Sequence, residues 1–308
     1  MTTEQQSSGL LLGFEPSEND LYDMALTVPL DEKIEKAIGF LQSMGPLLKN
    51  YGGELYVCDS GGKDSDCIVR LAEMAGIPWT GHQNVTTMDP PELMQFLRKE
   101  RRATVWHRPK QALLTRMRSK SCGPPTRLAR WCCEEYKESA DLRDVLKVIG
   151  VRAEESYRRR HLWKLVQHDK KTNGKILCPI VYWTEDDVWE FHRLEKLPYC
   201  SLYDEGFKRL GCVGCPLGGP IAQAREFARW PRYEENWKRA FRLFWEQWHG
   251  VPLERKRLIR DKGGTVIDST DVRWFEGFGN WEAMWDWWVS GKANKGKDTG
   301  CQMEFLFQ

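Results

Sequence analysis

The stretch Glu54-Leu-Tyr-Val-Cys58-Asp-Ser-Gly-Gly-Lys63-Asp-Ser65 decides the fold. Glu54 to Cys58 reads as a short buried strand and Asp59 to Gly62 as a turn. Cys67, Ile68, Leu71, Ala72 and Ala75 then recur at helical spacing, which predicts a helix through Ala75. A strand that turns into a helix over two glycines builds an anion site, because backbone N–H groups and the positive helix end face the ligand. The glycines let the backbone approach a pyrophosphate closely. Ser60 and Ser65 offer hydroxyl donors, and Lys63 offers a mobile positive charge. The Walker loop needs Gly-x-x-x-x-Gly-Lys-Ser/Thr, and this spacing differs from it.

Outward from this loop, strands and helices alternate. Asp31 is placed to cap a helix running through Lys49, with Ile34, Ala37, Ile38, Leu41 and Leu48 near helical spacing, and Gly52-Gly53 breaks it. Ile77–Val85, Ala103–His107, Val145–Val151 and Ile176–Val181 read as further strands, and Pro90-Pro91 opens a helix to about Arg102. The alternation predicts an α/β chain: a Rossmann-like parallel sheet of about five strands with helices on both faces. A ligand is then expected at the C-terminal strand edge.

After Gly219 the pattern changes. Arg225–Trp248 and Trp281–Val289 are aromatic and helix-periodic, and residues 259–273 suit a hairpin around Gly263-Gly264. Nine of the 15 tryptophans lie in residues 230–308. They read as core packing, with a stacking surface for bases as the alternative. The expected organisation is an arm over 1–30, a nucleotide-binding domain carrying the cysteine site over 31–220, and a helical Trp-rich subdomain over 221–308. Gly291–Gly300 reads as a flexible stretch.

Composition bounds the function. The 308 residues are 41% hydrophobic and 29% charged, with a mean hydropathy of −0.59, which excludes a disordered or collagen-like chain. No stretch approaches the roughly 18 apolar residues of a membrane span. Met1–Ser8 lacks a basic segment followed by an apolar one, so a cytoplasmic location and no membrane partner are expected. The net charge of +2 hides an uneven distribution. Residues 1–97 carry 5 Lys/Arg against 15 Asp/Glu, whereas residues 98–164 carry 19 against 8. The basic middle suggests a phosphate-bearing partner, or else a solvated helical face. Arg158-Arg-Arg160 carries the same two readings.

Ten cysteines in such a chain point to metal or redox chemistry rather than disulfides. Cys132 and Cys133 are adjacent, and Cys212-Val-Gly-Cys215 follows about 80 residues later. Two pairs can supply four thiolates to zinc or to an iron–sulfur centre. Adjacent ligands sit more easily on the separated irons of a 4Fe-4S cube than on one small ion. An arrangement in which only one of Cys132 and Cys133 ligates stays open. Cys58, Cys67 and Cys178 read as small core residues. Cys122 and Cys200 flank the paired cysteines.

These motifs resemble two levels of one family tree. The Ser60-Gly-Gly-Lys-Asp-Ser65 loop is similar to the PP-loop of the ATP pyrophosphatases and their adenine-nucleotide α-hydrolase-like relatives. The cysteine layout resembles the iron–sulfur branch of the phosphoadenosine-phosphosulfate (PAPS) reductase family. So do Gly123-Pro-Pro-Thr-Arg127 before Arg130-Trp-Cys-Cys133, Gly150-Val-Arg-Ala-Glu-Glu-Ser156, Pro179–Trp189 and Leu202–Cys212. The resemblance spans roughly residues 30–220. It implies a 4Fe-4S cluster on Cys132, Cys133, Cys212 and Cys215. It implies ATP with Mg²⁺ on Ser60, Gly61, Gly62, Lys63, Asp64, Ser65, Asp89, Arg152, Glu155 and Ser156. Lys63, Asp64 and Arg152 are the expected catalytic group, with Arg159 as a further contact.

The sequence also departs from the reductases. These need a cysteine near the C-terminus in a Glu-Cys-Gly-Leu/Ile-His context, and the candidate here, Cys301, has no such context. Thr86-Thr-Met-Asp-Pro-Pro-Glu92 replaces the Asp-Thr-Gly segment and is similar to relatives linked to DNA phosphorothioation. A full Gly-Gly-Lys-Asp-Ser loop fits members that cleave ATP. The leading expectation is therefore adenylation or activation of an acceptor with pyrophosphate release, in sulfur transfer to a nucleic-acid or nucleotide substrate. The alternatives are a PAPS or adenylyl-sulfate reductase using Cys301 and thioredoxin, and a nucleotide-sensing subunit with no reaction of its own. Adenine nucleotide, a nucleic-acid or protein acceptor, and a second copy of the chain are the expected partners.

Overall fold

A computed structural model describes residues 22–23, 26–120, 123–127, 129–138, 143–169, 172–250, 258–260, 266–268 and 274–292. Cys301, Cys122, the arm before residue 22 and the stretch after 292 lie outside the described residues.

Six strands form the main sheet: β1 (Leu55–Cys58), β2 (Trp79–Asn84), β3 (Val105–His107), β4 (Leu146–Val148), β5 (Val166–Asp169) and β6 (Gly174–Leu177), in the order β3-β2-β1-β4-β6-β5. β1 runs parallel to β2 and β4, and β4 runs parallel to β6. β5 is antiparallel to β6 and forms the edge. The expected α/β sheet is therefore present, with one more strand than expected. The fifth expected strand, Ile176–Val181, is displaced to Gly174–Leu177.

The helices are α1 (Leu30–Ser43), α2 (Lys63–Ala75), α3 (Pro91–Glu100), α4 (Leu113–Arg118), α5 (Trp131–Tyr136), α6 (Tyr157–Leu162), α7 (Glu185–Glu195), α8 (Gly219–Arg229), α9 (Pro231–Trp248) and α10 (Trp281–Val289). α1 ends earlier than its apolar spacing suggests. Gly45-Pro46 turns residues Gly45–Asn50 into a 3-10 helix, because proline cannot donate to the α ladder. Its N-cap is Pro29, with no side-chain cap, so Asp31 lies in the first turn and does not cap. The long helix expected over Arg225–Trp248 is two helices that break at Trp230-Pro231. β7 (Leu258–Arg260) and β8 (Val266–Asp268) pair antiparallel, as the expected hairpin requires.

The chain divides into two compact units: residues 1–82 with 142–199, and residues 83–141 with 200–308. The boundary expected at residue 220 falls inside the second unit. In the first unit, Leu55 and Val57 of β1 point into a core with Leu41, Ile68, Leu71, Leu146, Leu177, Val188 and Phe191, all fully or nearly fully buried. Strand alternation sends Tyr56 and Cys58 to the other face, where Tyr56 stacks on His82 with ring centroids 3.7 Å apart. In the second unit the core is aromatic: Phe227, Trp237, Phe241, Phe244, Phe275, Trp285 and Trp288. Trp288 donates its indole N–H to the Pro125 carbonyl at 2.7 Å, and Trp237 donates to Val213 at 3.0 Å. These tryptophans take the core role of the two read from the sequence.

Candidate functional site

The phosphate loop lies in the first unit, between β1 and α2. Gly61 has φ 69°, a conformation that glycine adopts without Cβ strain. Gly62 is the N-cap of α2 and brings no side-chain cap. Asp59, 1% exposed, accepts from the Gly61 N–H at 3.3 Å, and the Ser65 hydroxyl donates to the Gly62 carbonyl at 2.8 Å. The loop is thus tied internally at both ends, with the first turn of α2 opening onto it.

The charged groups here form one network. Lys63 is buried, and its Nζ lies 2.9 Å from Asp64 and 3.2 Å from Glu185. Arg152, 3% exposed, has all three guanidinium nitrogens engaged: Nε with Asp64 at 2.6 Å, one terminal nitrogen with Glu154 at 2.7 Å, the other with Glu185 at 2.5 Å. Burial works against the Arg152 charge, and Asp64, Glu185 and Glu154 more than offset it, so its pKa is raised. The Glu185 N–H donates to Glu154 at 2.6 Å, which closes the network. A Cβ on Gly150 would sit 2.9 Å from the Asp64 carbonyl, so only glycine lets the chain after β4 pass this close to α2. His192 of α7 braces the same turn: its Nε2 lies 2.9 Å from the Lys63 carbonyl.

Ser60, Gly61, Gly62, Lys63, Asp64, Ser65 and Arg152 are therefore gathered in one unit. Glu155 and Ser156 follow Arg152 but have local partners: Glu155 pairs with Arg159, and the Ser156 hydroxyl accepts from the Arg159 N–H at 3.2 Å as the N-cap of α6. Asp89 belongs to the second unit, where its carboxylate accepts from the Thr86 N–H at 2.8 Å. Glu154, Glu185 and His192 are functional candidates that sequence reasoning passed over. Glu154 and Glu185 stand in stretches already matched to the family, yet their pairing with Arg152 spans up to 33 residues and leaves no spacing signal.

The thiols form a second site, wholly in the second unit. Cys132 and Cys133 lie in the first turn of α5, and Cys212 and Cys215 lie on a tight turn in which the Cys215 N–H donates to Cys212 at 3.2 Å. That turn is held from several sides. The Val213 N–H donates to Met88 at 2.7 Å, and the Gly214 N–H donates to Glu226 at 2.6 Å. Gln223 and Trp237 donate to the Gly214 and Val213 carbonyls, each at 3.0 Å. Cys212 Sγ is 3.3 Å from the Thr86 hydroxyl. Thr87 beside it holds φ 65°, a costly conformation for a β-branched residue, and its hydroxyl accepts from the Leu113 N–H at 3.0 Å.

The four sulfurs feel one another. A hydrogen bond to Cys133, then burial and the charges of Cys133, Cys212 and Cys215, raise the Cys132 pKa; the same hydrogen bond lowers that of Cys133. Burial pushes Cys212 up to about 11 and also raises Cys215. Lys137 is raised chiefly by the negative charge of Cys212. Cys132 and Cys133 share a hydrogen bond, and the charges of Cys212 and Cys215 also act on Cys132. Among the described residues, no group of three or more His, Cys, Asp and Glu side chains is arranged to hold a metal ion. By contrast, burial holds Cys58 and Cys178 each at about 12, and Cys67 well above its ordinary value, as expected of core thiols.

The profile of the phosphoadenosine phosphosulfate reductase domain matches residues 54–217, more than half of the chain. The chain belongs to this family. Among its relatives, adenosine 5'-phosphosulfate reductase 2 of Bacillus subtilis is 35% identical over 89 residues, which cover 29% of this chain and 37% of that protein. An uncharacterised protein of Methanocaldococcus jannaschii is 32% identical over 143 residues, 44% of this chain and 28% of that one. The chain thus spans little more than a third of the length of these curated relatives, or less. Among solved structures, the PAPS reductase of Candida auris in a phosphate complex is similar with a TM-score of 0.42 and 14% identity, over 63% of this chain and 93% of that one. The FMN adenylyltransferase of Candida glabrata with FAD and pyrophosphate gives 0.41 and 18%, over 64% and 71%. Among the described residues, no helix of this PAPS reductase-family chain is long and apolar enough to cross a membrane.

Proposed function

We propose that this family member binds ATP at the Ser60–Ser65 loop and activates an acceptor with release of pyrophosphate, as a step in sulfur transfer to a nucleic-acid or nucleotide substrate. The observation that carries the reading is the intact strand–Gly-Gly–helix loop with buried Lys63 at the first position of α2. In the reaction an acceptor oxygen bonds to the α-phosphorus, the bond to the bridging oxygen breaks, and pyrophosphate leaves with the electron pair. Lys63 and the loop amides stabilise the charge that grows on the leaving group. Arg152, fixed by its carboxylates, holds Asp64 in place, and Asp64 is the oxygen donor nearest to hand for a Mg²⁺ that enters with the nucleotide.

The thiol site suits a 4Fe-4S cluster on Cys132, Cys133, Cys212 and Cys215, which would supply a sulfur-handling or electron-transferring centre. The protein's own contribution there is to hold Cys212 and Cys215 on their turn, through Glu226, Gln223, Trp237 and Met88. A second reading is sulfonucleotide reduction with thioredoxin as the reductant; it draws on the name of the Bacillus subtilis relative, an adenosine 5'-phosphosulfate reductase. The two are separated on anaerobically purified protein by iron content, pyrophosphate release from Mg-ATP, and sulfite release from PAPS or adenylyl sulfate with thioredoxin. About four irons per chain with pyrophosphate and no sulfite supports the first reading. Sulfite release that is lost in Cys301→Ser replaces it with the second.

A further inference from the structure

Glu185 bridges the two buried cations beside the Ser60–Ser65 loop. One of its oxygens contacts both cations of the loop, Arg152 at 2.5 Å and Lys63 at 3.2 Å. Those cations cannot move toward a ligand freely: the Lys63 side chain is 5% exposed and that of Arg152 is 3% exposed. Glu185 and Glu154, at 43% and 38%, face solvent. A phosphate arriving from water therefore meets the glutamates first and reaches Lys63 by exchanging with Glu185. The exchange is a side-chain motion, because the backbone beneath it is fixed. Thr184 and Asp187 form a reciprocal capping box at the start of α7, and Asp187 is anchored to buried Lys33 at 2.6 Å.

We propose that Glu185 is the resident counter-ion of the phosphate site and sets the affinity threshold for anions that enter it. This rests on the reading that the Ser60–Ser65 loop binds phosphates. Lys63 and Arg152 carry two positive charges against three from Asp64, Glu154 and Glu185, so the site without ligand is net negative. A single sulfate or orthophosphate that replaces Glu185 trades one anion for another and gains little. A polyphosphate gains more, because a second phosphate can reach the loop amides at the same time. Glu185 thus acts as a threshold: it lowers the affinity of every anion that must displace it, so abundant single anions stay unbound while linked phosphates still bind.

The test is binding, measured by calorimetry with orthophosphate and with pyrophosphate on wild type, Glu185→Gln, Glu185→Asp and Glu154→Gln. In both glutamine variants Lys63 keeps Asp64, and Arg152 keeps Asp64 and one glutamate. Both remove one negative charge, but only Glu185→Gln removes the anionic oxygen from Lys63. Glu185→Gln is expected to bind both probes at least tenfold more tightly, bringing orthophosphate into the measurable range. Glu154→Gln is expected to change less than threefold, and Glu185→Asp falls between them. Equal shifts in the two glutamine variants would mean a general charge effect and overturn the proposal. So would a change below threefold in Glu185→Gln when wild type binds pyrophosphate. If wild type binds neither ATP nor pyrophosphate, the phosphate-loop reading itself fails and takes this proposal with it.

Discussion

Gly214 and Gly219 share a φ of 78° but differ in what surrounds them. A Cβ on Gly214 would lie 2.7 Å from both Phe227 and the Trp237 indole nitrogen, whereas a Cβ on Gly219 meets nothing within 4 Å. Alanine at either position strains the backbone by about 1–3 kcal/mol. At Gly214 the overlap adds about 1–3 kcal/mol more, since Phe227 and Trp237 are core residues that cannot step aside. Thermal melts should therefore rank Gly214→Ala well below Gly219→Ala. If the thiols hold a cluster as proposed, Gly214→Ala should also lose iron during anaerobic purification, because the strained residue sits between Cys212 and Cys215. Equal melting temperatures would show that the turn is not clamped as its hydrogen bonds suggest. At this scale the Gly61-Gly62 turn from strand to helix was legible, because the change of period fixes residue type and spacing within a few positions. Glu185 and His192 were not, because their contacts with Arg152 and the Lys63 carbonyl join residues far apart in sequence and leave no periodic trace; Glu154 lies two residues from Arg152, but its pairing there takes no fixed residue pattern.

α7 shows how one element carries several jobs. Its first turn caps itself and presents Glu185, and two turns on His192 supports the Lys63 carbonyl. Thr184→Ala removes the cap and should cost about 1 kcal/mol, read as a lower melting temperature. His192 is 3% exposed and its Nδ1 has no hydrogen-bond partner. Burial pushes its pKa below the ordinary 6.5, despite opposing help from the Lys63 carbonyl and Asp64. Its folded state therefore binds fewer protons than the unfolded chain in acid, so stability is fully present above 6.5 and is lost as pH falls. The drop in melting temperature between neutral and mildly acidic pH should shrink in His192→Gln, which keeps a donor for the carbonyl. An unchanged drop would place the acid sensitivity elsewhere. Among elements, α2 and α10 matched their sequence reading because their apolar periods are uninterrupted. β5 escaped because Val166-Gln-His-Asp169 is a short, mostly polar edge strand without an apolar run. α8 and α9 read as one helix because their periodicity continues across Trp230-Pro231, although proline breaks the ladder there.

For the whole molecule, each unit has its own core, and the chain enters each unit twice. That exchange is invisible to a reading that moves along the sequence and divides it once, because it is set by which distant segments share a core. Phe191 is fully buried in the first unit, beside Trp183 with ring centroids 5.2 Å apart. Phe241 is fully buried in the second, against Trp285 and Trp288, each at 5.2 Å. Truncating either to alanine leaves a cavity that its neighbours fill only partly, at about 3–5 kcal/mol. Separate cores confine the loss. In Phe191→Ala, hydrogen exchange should accelerate at β1, α2 and α7, with pyrophosphate affinity falling. In Phe241→Ala it should accelerate at α9 and α10, with thiol-site iron falling and pyrophosphate affinity held within a few-fold. Exchange that rises across both units in either variant would show a single cooperative core.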